Sequence, residues 1–291
     1  MKRLFLFLAA LACLGQSRAA ILQTNIPYGS AGGQPLLLDV SVPDGPGPFP
    51  MAMIVHGGGW STGGKGQDKN LGRDISPLFD PLTRAHFTWF SIDYRLAPTN
   101  RWPAGIEDLQ TAIRWVKAHA AEFKGDPHRL ALIGHSAGGH MVCYVTVMSD
   151  DSTRVQAVVG LAAPNDLVAD TLHRGEVSKS LQNLLALPQA TNAESFKVLA
   201  DRSPINHVRP GLPPFLLMQG SIDRTVPPAQ AAKFQAALLS NNVPCDLITI
   251  TNAPHPITAW SKFDPNWGDE LTAWLHSKLD APTNAPKPAQ P

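Results

Sequence analysis

Five residues, Gly134-His135-Ser136-Ala137-Gly138, form a G-x-S-x-G sequence that could place a serine for nucleophilic catalysis. The motif follows the apolar run 130–133, which predicts a buried strand, and it precedes a segment of helical character. A tight turn from strand to helix needs small residues around the serine, and it lifts the hydroxyl to the positive end of the helix. Because the same pattern also occurs by chance in ordinary strand-to-helix turns, its chemistry depends on partners elsewhere in the chain.

A serine nucleophile needs a general base and an acid that orients the base. Asp223 follows the predicted strand 215–218, and His255 follows the predicted strand 246–250. Both positions are strand ends, where α/β proteins build their sites, and the order Ser136, Asp223, His255 is that of α/β hydrolases. Asp223 could instead cap the helix predicted from Pro227, and Asp166 is the alternative acid. The other histidines near motifs or on helices are expected to be structural, namely His56, His135, His140, His173, His207 and His276.

Glycine-rich backbone after another strand offers donors for an oxyanion. The run Gly57-Gly58-Gly59 follows the predicted strand 51–56, and glycine lets a backbone N–H approach a substrate closely. We expect Gly58 to donate, with Gly59 second, together with the N–H of Ala137. Trp60 could stack on a sugar or an aromatic acyl group, or it could pack the loop.

No other motif in the sequence calls for a cofactor. The segment 59–66 lacks the Ser or Thr that completes a P-loop, because Gly66 stands there. No metal-ligand spacing occurs, so we expect neither a metal nor a cofactor.

The elements that must position these residues alternate between strands and helices. Strands are predicted at 36–42, 51–56, 87–93, 130–133, 155–161, 215–218 and 246–250, with helices at 103–123, 137–148, 227–239 and 271–279. Continuous apolar strands between helices indicate an α/β fold with a mostly parallel sheet covered on both faces. We expect one catalytic domain over 21–279, with a small lid insertion at 164–212 and a disordered tail at 280–291.

The N-terminus and the charge balance limit where the protein acts. Residues 1–20 combine Lys2 and Arg3, an apolar run and small residues, which predicts a signal peptide and a secreted or periplasmic protein. Acylation at Cys13 is a weaker alternative. A formal net charge of +1 without basic runs gives no basis for nucleic-acid binding or stable membrane association. Cys143 and Cys245 are expected to be unpaired, although export would permit a disulfide.

Four motifs together resemble the α/β-hydrolase esterases, closest to the bacterial secreted feruloyl and acetyl-xylan esterase-like proteins. They are HGGGW at 56–60, DYRLAP at 93–98, GHSAGG at 134–139 and GSIDRTVP at 220–227. The resemblance implies the α/β-hydrolase fold, the triad and the oxyanion loop given above, and it suggests that Arg95 and Asp108 are structural pins. About 30 residues separate the predicted signal peptide from the strand 51–56, too few for the N-terminal cap of hormone-sensitive-lipase-like relatives, so we expect a more open site.

The predicted function is a secreted serine carboxylic ester hydrolase that works through an acyl-enzyme. Its expected partner is a small or polysaccharide-linked ester, with a feruloyl or acetyl group on plant polysaccharide. A general short-chain carboxylesterase and a formamidase-type amide hydrolase remain alternatives, and a non-catalytic binding module is a third interpretation.

Overall fold

The computed structural model describes residues 20–66 and 75–280, so the predicted signal peptide and tail lie almost wholly outside the described residues. The strands are β1 (Ile21–Ala31), β2 (Gln34–Val42), β3 (Phe49–Val55), β4 (Thr88–Ile92), β5 (Gly125–His135), β6 (Ala157–Leu161), β7 (Phe215–Gly220) and β8 (Cys245–Ile250). The α-helices are α1 (Phe79–Arg84), α2 (Ala104–Ala118), α3 (Ala137–Val147), α4 (Leu167–Arg174), α5 (Lys179–Leu185), α6 (Ala193–Asp201), α7 (Ala229–Ser240) and α8 (Trp267–Leu279).

All eight strands form one sheet in the order β1-β2-β4-β3-β5-β6-β7-β8. The β1–β2 and β2–β4 pairs are antiparallel, and every pair from β4 to β8 is parallel. The predicted mostly parallel sheet is therefore confirmed. Because the strands are parallel, the segments that follow β3, β5, β7 and β8 emerge at the same edge of the sheet.

Each central strand buries both faces, which explains why its sequence is apolar throughout. In β3, Met51, Met53 and Val55 belong to one core cluster, while Ala52 and Ile54 belong to the other. Helices α2, α3 and α7 cover the first face, and α1 and α8 cover the second. The helix layers hold the sheet rigid, so the strand ends that carry the site keep fixed positions.

The edge strand β1 is the main element that the sequence did not predict. Nearly all of its side chains are at least partly exposed, and Tyr28 is its one fully buried residue. Register shifts interrupt its pairing with β2. An exposed, bulged strand lacks the alternation of apolar and polar residues that would identify it.

Three short helices, α4, α5 and α6, occupy the segment between β6 and β7 where a lid insertion was predicted. Side chains cap each of them, as Asp166, Ser178 and Asn192 accept a hydrogen bond from a backbone N–H in the first turn. The sequence shows short helical patterns near 177–187 and 193–200, which correspond to α5 and α6, but none at α4. Two of the three buried residues of α4 are polar, Asp170 and Thr171, so it shows no apolar period.

Two further observations concern the described part of the chain. No helix there is long and apolar enough to cross a membrane. Cys143 and Cys245 are both buried and unpaired.

Candidate active site

Ser136 stands at the turn between β5 and α3 in a backbone conformation that non-glycine residues rarely adopt. Its φ is 53° and its ψ is −118°. A Cβ at Gly134 would lie 2.3 Å from the carbonyl oxygen of Gly138, and a Cβ at Gly138 would lie 2.2 Å from that of Val55. The two glycines of the motif are therefore needed for space, and they permit the strained turn that presents the serine.

The structure brings Ser136, His255 and Asp223 into one hydrogen-bonded chain. His255 Nε2 lies 2.9 Å from Ser136 Oγ, and His255 Nδ1 lies 2.7 Å from Asp223 Oδ2. These partners assign the tautomer, since Nδ1–H donates to the carboxylate and Nε2 accepts from the serine hydroxyl. The imidazole is thus oriented to take the serine proton.

The carboxylate of Asp223 is held on both of its oxygens, and its side chain is fully buried. Oδ1 accepts from the backbone N–H groups of Thr225 at 2.8 Å and Val226 at 2.9 Å, and Oδ2 also accepts from Gln219 Nε2 at 3.0 Å. Burial alone would raise the pKa of Asp223. The hydrogen bond and charge of His255 and the two backbone donors outweigh it and hold the pKa below its usual value. The acid is therefore fixed as an ionised acceptor.

His135, next to the nucleophile, contacts the backbone carbonyl and the ring of His255. Its Nε2 lies 3.1 Å from the carbonyl oxygen of His255, and the two ring centroids are 5.0 Å apart. Burial, with a smaller contribution from the neighbouring His255, lowers the pKa of His135 to about 3. The ring stays neutral, donates Nε2–H to that carbonyl and fixes the loop after β8, in keeping with a structural role.

The expected oxyanion donors differ in their access to the site. Gly59 and Ala137 line the cavity at Ser136, and Ala137 begins α3, where the first N–H groups lack partners within the helix. Gly58 is absent from the described residues of the cavity wall. Its carbonyl accepts from the N–H groups of Ser61 and Thr62, which folds it into a turn below the loop. Its place on the cavity wall favours Gly59, the second of the two expected donors, while the direction of each N–H stays a prediction.

Trp60 both packs the loop and borders the cavity. It is 6% exposed, and its ring meets that of His140 edge-on at 5.2 Å. It also belongs to the cavity wall. The buried ring therefore packs the oxyanion loop, and stacking of Trp60 on a substrate stays a prediction.

The cavity in front of Ser136 has a volume of about 170 Å³ and reaches under the inserted helices. Its wall includes the polar residues Asp170 and Arg174 of α4, Ser178 and Ser180, together with the apolar Leu181. Sequence reasoning did not identify Asp170 or Arg174. The i, i+4 spacing of an acid and a base on one helix was the available signal, but it occurs on many solvated helices.

Arg95 and Asp108 fasten the loop that follows β4. Asp108 accepts from the backbone N–H of Arg95 at 2.8 Å and from its Nε at 2.9 Å, and the Asp108 side chain is 2% exposed. A buried carboxylate paired in this way fixes the loop to α2. The contacts agree with the structural role that the resemblance suggested.

The remaining candidate residues lie in structural settings. Asp166 caps α4 by accepting from the N–H of Ala169 at 2.8 Å, outside the triad. His56 and His140 are buried, and burial lowers the pKa of each to about 4. Within the described ranges, no group of three or more His, Cys, Asp or Glu side chains could hold a metal ion.

Comparison with known proteins finds relatives that are named as ester hydrolases. The model of the BD-FAE family matches residues 38–238. The probable carboxylic ester hydrolase LipM of Mycobacterium tuberculosis is 33% identical over 201 residues, which cover 65% of this chain and 44% of LipM. The chain spans about half the length of the curated relatives that it matches.

Two solved structures share the fold. A truncated carbohydrate esterase from gut microbiota superposes with a TM-score of 0.74 at 21% identity, covering 91% of this chain and 99% of that one. An acetyl ester-xyloside bifunctional hydrolase from Caldicellulosiruptor lactoaceticus gives a TM-score of 0.72 at 22% identity, covering 90% and 98%. The predicted fold class is confirmed by these neighbours.

Proposed function

The chain belongs to the BD-FAE family, as its motifs predicted, and from this premise we propose that it is a serine carboxylic ester hydrolase. The observation that carries the proposal is the chain of hydrogen bonds from Ser136, which lines a cavity, through His255 to Asp223. A strained serine, an imidazole placed to accept its proton and a buried acid in this geometry serve acyl transfer.

The reaction follows from the positions of the protons. As Ser136 Oγ attacks the ester carbonyl, His255 Nε2 takes the hydroxyl proton, and the imidazolium is stabilised by Asp223. The carbonyl oxygen becomes an oxyanion, which the N–H groups of Ala137 and Gly59 stabilise. His255 then protonates the leaving alcohol, and water activated by the same base releases the acid from the acyl-enzyme.

For the substrate, we propose acetyl or feruloyl esters of plant polysaccharide. A cavity of about 170 Å³ suits a small acyl group or part of one sugar ring, and a wall with several polar side chains favours a hydroxylated substrate. Among the structural neighbours, one is named a carbohydrate esterase and another acts on an acetyl ester and a xyloside. Export through the N-terminal segment 1–20, predicted from the sequence, would bring the enzyme to such substrates.

A panel of esters on purified protein lacking residues 1–20 tests the proposal. We expect hydrolysis of p-nitrophenyl acetate and release of acetate from acetylated xylan, with methyl ferulate testing the feruloyl alternative. No turnover of any ester would overturn the enzyme assignment. Turnover of N-formylkynurenine in preference to every ester would replace it with an amide hydrolase, and turnover of p-nitrophenyl acetate alone would leave a general short-chain carboxylesterase.

A further inference from the structure

An ion pair from the inserted helix α4 forms part of the cavity wall at Ser136. Arg174 Nε donates to both carboxylate oxygens of Asp170, at 3.1 and 2.9 Å. The Asp170 side chain is 7% exposed and that of Arg174 is 33% exposed. Burying a carboxylate is unfavourable, so a nearly buried, ion-paired Asp170 on the same cavity wall as the nucleophile suggests a role in the site rather than on a solvated helix face.

A second contact fixes the guanidinium in place. Arg174 Nη2 donates to the carbonyl oxygen of Thr225, on the loop that carries the triad acid. Contacts on two elements hold the planar guanidinium rigidly, while its Nη groups retain further N–H donors. The orientation is therefore set before a ligand arrives, which lowers the entropy cost of binding.

The charges of the pair select the kind of group that fits. Asp170 neutralises Arg174, so an anionic group would meet a carboxylate as well as the guanidinium, and an apolar group would leave charged atoms without solvent. A neutral group that donates and accepts hydrogen bonds satisfies both side chains. Adjacent hydroxyls of a sugar ring have this property, since each hydroxyl is both a donor and an acceptor.

Ser180 extends this polar wall toward the oxyanion loop. Its Oγ lies 2.5 Å from where a Cβ on Gly59 would stand, so the hydroxyl borders the loop directly. A ligand that reaches from Ser136 to α4 would therefore pass polar groups of two inserted helices, α4 and α5. A Cβ at Gly59 would require the Ser180 hydroxyl to move, and the φ of 58° at Gly59 also favours glycine.

We propose that Asp170 and Arg174 form a sugar-hydroxyl subsite that selects esters whose alcohol is a sugar. The inference rests on the proposed ester hydrolase function, and it adds the residues and the chemistry of alcohol recognition. Its alternative is a purely structural tie between α4 and the Thr225 loop, which would affect all substrates alike.

The test compares two acetate esters that differ in the hydroxyls of the alcohol, methyl 2-O-acetyl-β-xylopyranoside and cyclohexyl acetate. We expect the wild type to favour the xyloside in kcat/KM. Arg174→Gln and Asp170→Asn should each lower the ratio of the two kcat/KM values about tenfold, chiefly through KM of the xyloside. Because the ratio is measured on one preparation, partial loss of folded protein does not affect it.

Arg154→Gln provides a matched control, since Arg154 forms an exposed i, i+3 pair with Asp151. This control should keep both the ratio and the activity of the wild type. Should Arg174→Gln fail to fold, Arg174→Lys retains the charge but not the planar fork, and it should still lower the ratio. An unchanged ratio in the folded variants, or no preference in the wild type, would overturn the subsite. Failure of the wild type to hydrolyse either ester would overturn the proposed function instead.

Discussion

Replacing Asp223 by Asn tests how the acid works, because the change keeps the shape and alters only donors and charge. The backbone N–H groups of Thr225 and Val226 both point at Oδ1, so the oxygen of the new amide must stay there. The NH₂ group of the new amide then takes the place of Oδ2, the oxygen that accepts from His255 Nδ1–H in the wild type. Two donors face each other, and His255 must adopt the other tautomer, with Nε2 protonated.

A histidine protonated at Nε2 cannot accept the proton of Ser136 at 2.9 Å. The loss should resemble that of other triads with a wrong tautomer, about 10⁴ in kcat, or roughly 5 kcal/mol of transition-state stabilisation. The effect should appear in kcat rather than KM, because Asp223 is buried and does not line the cavity.

The assay is steady-state hydrolysis of p-nitrophenyl acetate, with thermal unfolding as a check on folding. Asp166→Asn is the matched control, since Asn also caps helices well, so α4 should persist and activity should stay near that of the wild type. If Asp223→Asn kept activity within about tenfold of the wild type, Asp223 would not be needed to hold His255 in its active tautomer. If Asp166→Asn lost activity instead, Asp166 would replace Asp223 as the acid.

Two further predictions concern packing and pH. Gly138→Ala places a Cβ 2.2 Å from the Val55 carbonyl oxygen and should destabilise the fold by about 3 kcal/mol or more, as measured by urea unfolding, whereas Gly66→Ala has open space and should not. Equal stability of the two variants would contradict the packing argument. Burial lowers the pKa of His135 to about 3 and of His56 and His140 to about 4, from 6.5. Below pH 6.5 the unfolded chain therefore binds protons that the folded chain does not bind, so the free energy of unfolding should fall by up to about 1.4 kcal/mol per pH unit for each histidine, down to those pKa values. Urea midpoints that do not change between pH 7 and pH 5 would show that these rings are not held neutral.

The triad could be predicted from sequence because each member follows a strand in a recognisable local pattern. Ser136, Asp223 and His255 are far apart in the chain, yet parallel strands bring their ends to one edge. The same logic does not choose between Gly58 and Gly59, since the direction of one N–H depends on the turn that Thr62 closes. That turn is a backbone detail with no signature in residue type.

The inserted helices were the least predictable part of the site. Helix α4 buries Asp170 because Arg174 pairs with it, and Arg174 stays in place because the Thr225 loop accepts its hydrogen bond. These contacts form only in the folded chain. In the sequence alone, an acid and a base at i, i+4 spacing are typical of an exposed helix. The exposed edge strand β1 was missed for a related reason, since its pairing with β2 rather than its own pattern makes it a strand.

Trapping the acyl-enzyme shows whether Ser136 carries the acyl group during turnover. The protein is mixed with p-nitrophenyl acetate, and the mixture is quenched in acid, digested and analysed by mass spectrometry. Ser136→Ala is treated in parallel, together with Ser240→Ala, a control variant at an exposed serine. We predict an acetylated peptide at Ser136 in the wild type and in Ser240→Ala, and neither adduct nor turnover in Ser136→Ala. Turnover by folded Ser136→Ala at the rate of the wild type would show that Ser136 is not the nucleophile. An acetyl group on a different residue during turnover would show the same.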